Sequence, residues 1–264
     1  MTFKLDPIRR AAAFILLFAG CALAAHFSNQ VFLHLVATLG FGLALYVAYT
    51  EFSTKRKNVW DTVITSLIIF LLVHYGSTMT DLLYPLLITF IAITMKFFVE
   101  FKSSPVVNPA AGAVLLAALL LAFIPGTSLP FVSWWGASFG GYLSLGLMAL
   151  WIVGGLYQWR KSAIVGSFLL AHAVLLLLRG QGMEGLQFAF TDATIYFFAA
   201  FMLVDPKTSP FKPRDQILYG LVAAGLYNLL AWLGTPYFEL FALVGANLFR
   251  MGTMMLPKKN GPKV

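Results

Sequence analysis

Seventeen of the eighteen Lys and Arg residues in this 264-residue chain fall in clusters that alternate with pairs of apolar runs. That arrangement constrains the fold more than any motif does. The apolar runs predict ten membrane spans, at roughly 11–27, 30–50, 60–76, 80–99, 109–124, 138–158, 162–178, 188–204, 216–233 and 237–256. With the N-terminus on the cytoplasmic side, the inner segments hold Lys4, Arg9 and Arg10, then Lys55, Arg56 and Lys57. Lys96 with Lys102, Arg160 with Lys161, and Lys207, Lys212 and Arg214 follow, and Arg250, Lys258, Lys259 and Lys263 close the series. Only Arg179 falls on the other face. Basic residues near span ends are retained in the cytoplasm, and merging or splitting one span would exchange the sides of every later cluster. The expected fold is therefore an all-α integral membrane bundle of about ten transmembrane helices, with both termini cytoplasmic.

Composition agrees. The chain is 60% apolar and 11% charged, where a soluble domain carries about 25% charge. Connections are short, which leaves one transmembrane domain over 1–264 and no room for a separate soluble one. The formal charge of +8 lies in loop clusters rather than along one face, and no nucleic-acid motif accompanies it, so nucleic acid is not an expected partner. Cys21 is the single cysteine, which excludes an intramolecular disulfide. Lys4, Arg9 and Arg10 before an apolar run resemble the start of a signal peptide. The run continues past Cys21, however, and an uncleaved first span in a bacterial inner membrane is expected. Lipid is the expected surround.

Acidic residues divide differently. Asp81, Glu184, Asp192 and Glu239 sit at outer ends, where a carboxylate suits a helix start. Four histidines, His26, His34, His74 and His172, suggest no facing pair at matching depth, so haem is not expected. Gly220 and Ala224 read as a close helix contact. No Walker loop, hydrolase triad, HExxH or dinucleotide GxGxxG occurs at useful spacing.

Two inner loops share a pattern. Val99-Glu100-Phe101-Lys102-Ser103-Ser104-Pro105 matches Val204-Asp205-Pro206-Lys207-Thr208-Ser209-Pro210 position by position. Each ends a span with an acid, a Lys, hydroxyls and a Pro. The acid and hydroxyls can bond free backbone amides at a broken helix end, and Pro stops the helix. Chance is the competing explanation of the match. Asn108-Pro109 then reads as an N-cap with Pro at the first helical position.

The string from Phe197 to Pro210, the Tyr219-Gly220 helix and the run Phe241 to Leu248 with Asn247 resemble the NqrB/RnfD family. Its members are membrane subunits of sodium-pumping NADH:quinone reductase and of Rnf-type electron transport complexes, and some stand alone. Lys96 followed by Asn108-Pro109-Ala110 is similar to an earlier family loop. The resemblance covers roughly residues 90–250. It implies a urea-channel-like bundle of two halves with broken helices, holding flavin and passing electrons within the membrane. The implied cofactor is riboflavin or FMN, non-covalent here, with quinone as a further ligand, and the implied partner is an electron-donating redox protein. The implied site residues are Lys96, Asn108, Pro109, Asp205, Pro206, Lys207, Thr208, Ser209 and Asn247, with Lys102 a further candidate cation. Loop capping and cytoplasmic anchoring are the competing roles for these side chains. The chain departs from the family at the covalent attachment motif, for which the nearest string is Thr191-Asp192-Ala193-Thr194. Thr194 is thus a weak candidate for covalent flavin and a better helix-start residue. A small-solute transporter or channel of the same fold, without redox cofactor, is the rival reading.

Overall fold

The computed structural model bears out the helix start expected at Asn108-Pro109 and shows a second of the same kind at Asn58-Val59. It describes residues 6–27, 29–53, 57–73, 79–101, 104–124 and 160–255. The sixth expected span, 138–158, lies outside these, as do Lys102 and His74. Asn58 accepts from the Trp60 amide at 2.9 Å, and Asn108 accepts from Ala110 and Ala111 at 3.1 and 3.2 Å. Both cap donors that a helix start leaves unpaired.

The described residues form ten α-helices: α1 (Asp6–Phe27), α2 (Asn29–Phe52), α3 (Val59–Leu72), α4 (Leu83–Phe98), α5 (Pro109–Ala122), α6 (Ser162–Leu178), α7 (Gly182–Thr191), α8 (Ala193–Phe197), α9 (Pro213–Trp232) and α10 (Phe238–Met255). A 3-10 turn at Met79–Leu82 leads into α4, and a π-helical turn at Phe198–Met202 extends α8. The architecture is all-helical, and each of the nine described spans contains a helix.

Lengths differ from expectation. Among the described residues, one helix segment, Gln30–Phe52, is long and apolar enough to cross a membrane, with mean hydropathy 2.0 and 28% of that stretch buried. α3 and α5 have 14 residues each, which is about 21 Å at the α-helical rise against a hydrocarbon core of about 30 Å. They stop early because the backbone turns extended at Val73 and because Asn108 and Phe123 bound α5.

The eighth expected span is not one helix. Asp192, with extended backbone, ends α7 and caps α8 by accepting from the Thr194 amide at 2.8 Å. The apolar residues before it had made the run look continuous. α7 buries none of its residues.

α5 packs mainly through small residues. α5 buries Ala110, Ala111, Ala113, Val114 and Ala117 and exposes Leu116, Leu119 and Leu120. Small residues face neighbouring helices and large apolar ones face outward. Gly220 of α9 confirms a close approach to α6: a Cβ there would lie 2.7 Å from the Ile164 carbonyl oxygen and 2.1 Å from Ser167 Oγ.

The two matching loops differ in backbone. Glu100–Phe101 pairs antiparallel with Ser104–Pro105, whereas Asp205 builds a turn. The Asp205 carbonyl accepts from the Thr208 and Ser209 amides at 3.1 and 2.9 Å and from Ser209 Oγ at 2.8 Å. Its Oδ1 accepts from the Lys207 amide at 3.0 Å. The capping role expected of the acid holds for the second copy, whereas the Ser209 hydroxyl donates to a carbonyl instead of accepting from an amide. In the first, Glu100 instead pairs with Lys57.

Candidate functional site

Asp61, in the first turn of α3, gathers three cations from three different segments. Arg9 of α1 lies 3.0 Å from its Oδ1, and Lys207 of the loop before α9 lies 2.7 Å from its Oδ2. Lys96, near the end of α4 and 4% exposed, donates to the Asp61 main-chain carbonyl and to Thr65 Oγ1 at 2.7 Å. Thr65 in turn donates to the same carbonyl at 2.8 Å. A buried ammonium in an apolar bundle is costly unless its protons are bonded, and here two oxygens of a single helical turn, the Asp61 carbonyl and Thr65 Oγ1, hold it.

These groups line a cavity of about 60 Å³, walled also by Asn108, Pro109, Asp205, Pro206, Phe201, Ile64 and Ile68. That volume takes a few waters or a group of phosphate size. Three cations face two carboxylates, so the cavity carries an excess of positive charge. The π-helical turn brings Phe201 to its wall, and such turns recur at functional sites.

Six of the sequence-derived residues therefore meet at one cavity: Lys96, Asn108, Pro109, Asp205, Pro206 and Lys207. Thr208, Ser209 and Asn247 sit behind it, buried. Asn247 of α10 accepts from the Asn108 amide at 2.7 Å and donates to Tyr219 Oη at 2.6 Å and to the Thr208 carbonyl at 3.4 Å. One side chain thus joins the loop before α5 to the loop before α9. Thr194 is not part of this group; it lines a separate small pocket with Leu72, Phe197, Met202 and Glu239.

Two residues of the cavity, Arg9 and Asp61, escaped the motif reading. An acid just inside an apolar run was the available signal for Asp61, whereas Arg9 looked like an ordinary topology marker. Lys161, at the start of α6 and 0% exposed, also escaped. It donates to the Pro210 carbonyl at 2.5 Å and the Ser209 carbonyl at 3.4 Å. Gln216 binds the same loop from α9, donating to the Arg160, Pro210 and Phe211 carbonyls.

Burial, aided by Arg250 and opposed by Asp205, pulls the Lys161 ammonium from its ordinary 10.5 down to about 7. The unfolded chain therefore binds the extra proton between those values, and stability rises as pH climbs through that window. We expect Lys161→Met to flatten this rise in Tm measured against pH in detergent. An unchanged slope in the variant would show that Lys161 is not its source.

His172 of α6 is hydrogen-bonded to Asn228 at 3.0 Å and stacked on Phe168, a packed core histidine. Comparison with protein-family models and with curated proteins finds no match for the chain.

Proposed function

We propose that this chain is a multi-pass inner-membrane protein of about ten spans, acting as a subunit of a flavin-dependent electron-transfer system of NqrB/RnfD type. The observation that carries the proposal is the convergence of Arg9, Lys96 and Lys207 on one cavity, built from the loops whose sequences bear the resemblance. The membrane part of the reading draws on the apolar segment Gln30–Phe52, the outward-facing Leu residues of α5 and the charge asymmetry of the loops. Short helices that end inside the bundle suit a membrane fold when their free ends are capped by protein groups.

The donor set and the volume of about 60 Å³ fit the phosphate of FMN and leave no room for the flavin ring, which would lie outside the cavity. Arg9, Lys96 and Lys207 would hold that charge, and Asn108 and Asn247 would keep the two loops in register around it. Phe201, Ile64 and Ile68 would exclude water, which strengthens the electrostatic interaction. The bound flavin supplies one- and two-electron transfer. No dinucleotide-binding motif accompanies the site, so the electrons come from a partner protein, and quinone is a candidate acceptor.

The size of the cavity favours a second reading, a transporter for a small anionic solute. Protein purified in mild detergent separates the two. A flavin absorbance spectrum whose chromophore is released by acid supports the electron-transfer reading with non-covalent cofactor. A colourless preparation that moves a small anion across liposome membranes overturns it.

A further inference from the structure

A second, larger concavity lies on the other side of the 203–212 loop from the charged cavity. It occupies about 710 Å³ between Pro210–Asp215 and the last turns of α10. Its walls are apolar and open to the surround: Phe211 is 67% exposed, Leu218 48% and Met254 39%, with Phe249 beside them. Its charged lining is Lys212, Arg250 and Asp215, two cations against one carboxylate. Phe211 is held at the mouth by Lys161, whose ammonium stands 4.1 Å from the ring centroid. Arg250 donates from Nη1 to the Lys207 carbonyl at 2.8 Å, so the groove and the charged cavity share one loop.

An apolar slot whose charged lining is net cationic matches one class of ligand, an amphiphile with an anionic head. Free phosphate would leave the apolar walls unused, and a zwitterionic lipid would gain little from the excess positive charge. Basic pockets between helices on the cytoplasmic side are where anionic headgroups bind. We propose that this groove seats an anionic phospholipid, its headgroup on Lys212 and Arg250 and its upper acyl chain along Leu218 and Phe249. Through Arg250 the lipid also steadies the Lys207 loop. The proposal rests on the membrane reading above and not on the flavin.

The test uses full-length protein in detergent, exchanged against micelles containing phosphatidylglycerol or phosphatidylcholine. Retained lipid is counted by native mass spectrometry, and Tm is recorded. Phosphatidylglycerol should be retained preferentially and should raise Tm. Lys212→Gln should weaken its retention about five-fold, the contribution of one basic residue at a membrane surface. Asp215→Asn should strengthen it, because a repulsive carboxylate is removed. A folding defect would weaken both variants, so the opposite signs isolate the electrostatics. Equal retention of the two lipids, or variants indistinguishable from the parent, overturns the proposal. Flavin content measured in the same samples keeps the two hypotheses apart: loss of the lipid preference leaves a flavin spectrum standing, and the reverse holds equally.

Discussion

Asp61→Asn should destabilise the fold by about 3 kcal/mol. Removing one partner of a buried ion pair costs about 3–5 kcal/mol because the other charge stays buried and uncompensated. The lower end applies because Lys207 and Arg9 keep some access to water, with side chains 26% and 14% exposed. Lys96 does not. It keeps its bonds to the Asp61 carbonyl and Thr65 but loses the nearby carboxylate that pairs with Arg9 and Lys207. The double variant Asp61→Asn/Lys96→Met should recover part of the loss, since the buried ammonium disappears with its counter-charge. The two singles and the double form a cycle, read by Tm and by retained flavin fluorescence, whose coupling isolates the pair. Additive effects would mean that Asp61 and Lys96 do not act as a unit. An Asp61→Asn protein with normal stability would show that Asp61 does not hold the three cations together.

How far this site could be read from the chain follows from what each residue needs. Asn108, Pro109, Asp205 and Pro206 were legible because they act locally: a cap and a helix stop need only their own neighbours. Lys96 and Lys207 stood out as charges at the ends of apolar runs. Arg9 and Asp61 did not, because their meaning is a pairing between α1 and α3 that no local pattern records. Lys161 was hidden likewise, since its acceptors are carbonyls of the Ser209-Pro210 loop and carbonyls carry no sequence signature.

The fold was legible to a similar degree. Apolar runs located every described helix except α7, most of which falls in the loop expected between 178 and 188, and Gly220 marked a close contact that α6 supplies. Breaks inside a run were harder. The π-helical turn at Phe198–Met202 sits in a uniformly apolar stretch where nothing announces a change of helical pitch. Asp192 announced a cap, but the apolar residues of α7 masked the break it makes. The likeness between the 99–105 and 204–210 segments misled in the opposite direction. Equivalent residues there adopt a strand pair in one case and a turn in the other, because Glu100 is drawn to Lys57 while Asp205 bonds its own loop.

Asn247→Leu is the substitution that should most directly uncouple the two loops while leaving every charge in place. Leu has the same number of side-chain heavy atoms in the same branched arrangement, though its methyl groups need more room than the amide oxygen and nitrogen. The Asn108 amide, buried at the start of α5, then loses its 2.7 Å acceptor, and Tyr219 Oη loses its 2.6 Å donor. A buried polar group left unpaired costs about 1–3 kcal/mol, and with the long bond to Thr208 counted as minor, the expected loss is about 2–4 kcal/mol. Tyr219→Phe removes only one end of the network and should cost about 1 kcal/mol. Because both act through the same hydrogen bond, the double variant should be scarcely worse than Asn247→Leu alone. In the same preparations flavin should dissociate more readily from Asn247→Leu, since Asn108 and the Lys207 loop no longer share an anchor. A variant that is destabilised yet retains flavin with parental affinity would make Asn247 a purely structural bridge and shift the burden of holding the ligand to Arg9, Lys96 and Lys207 alone.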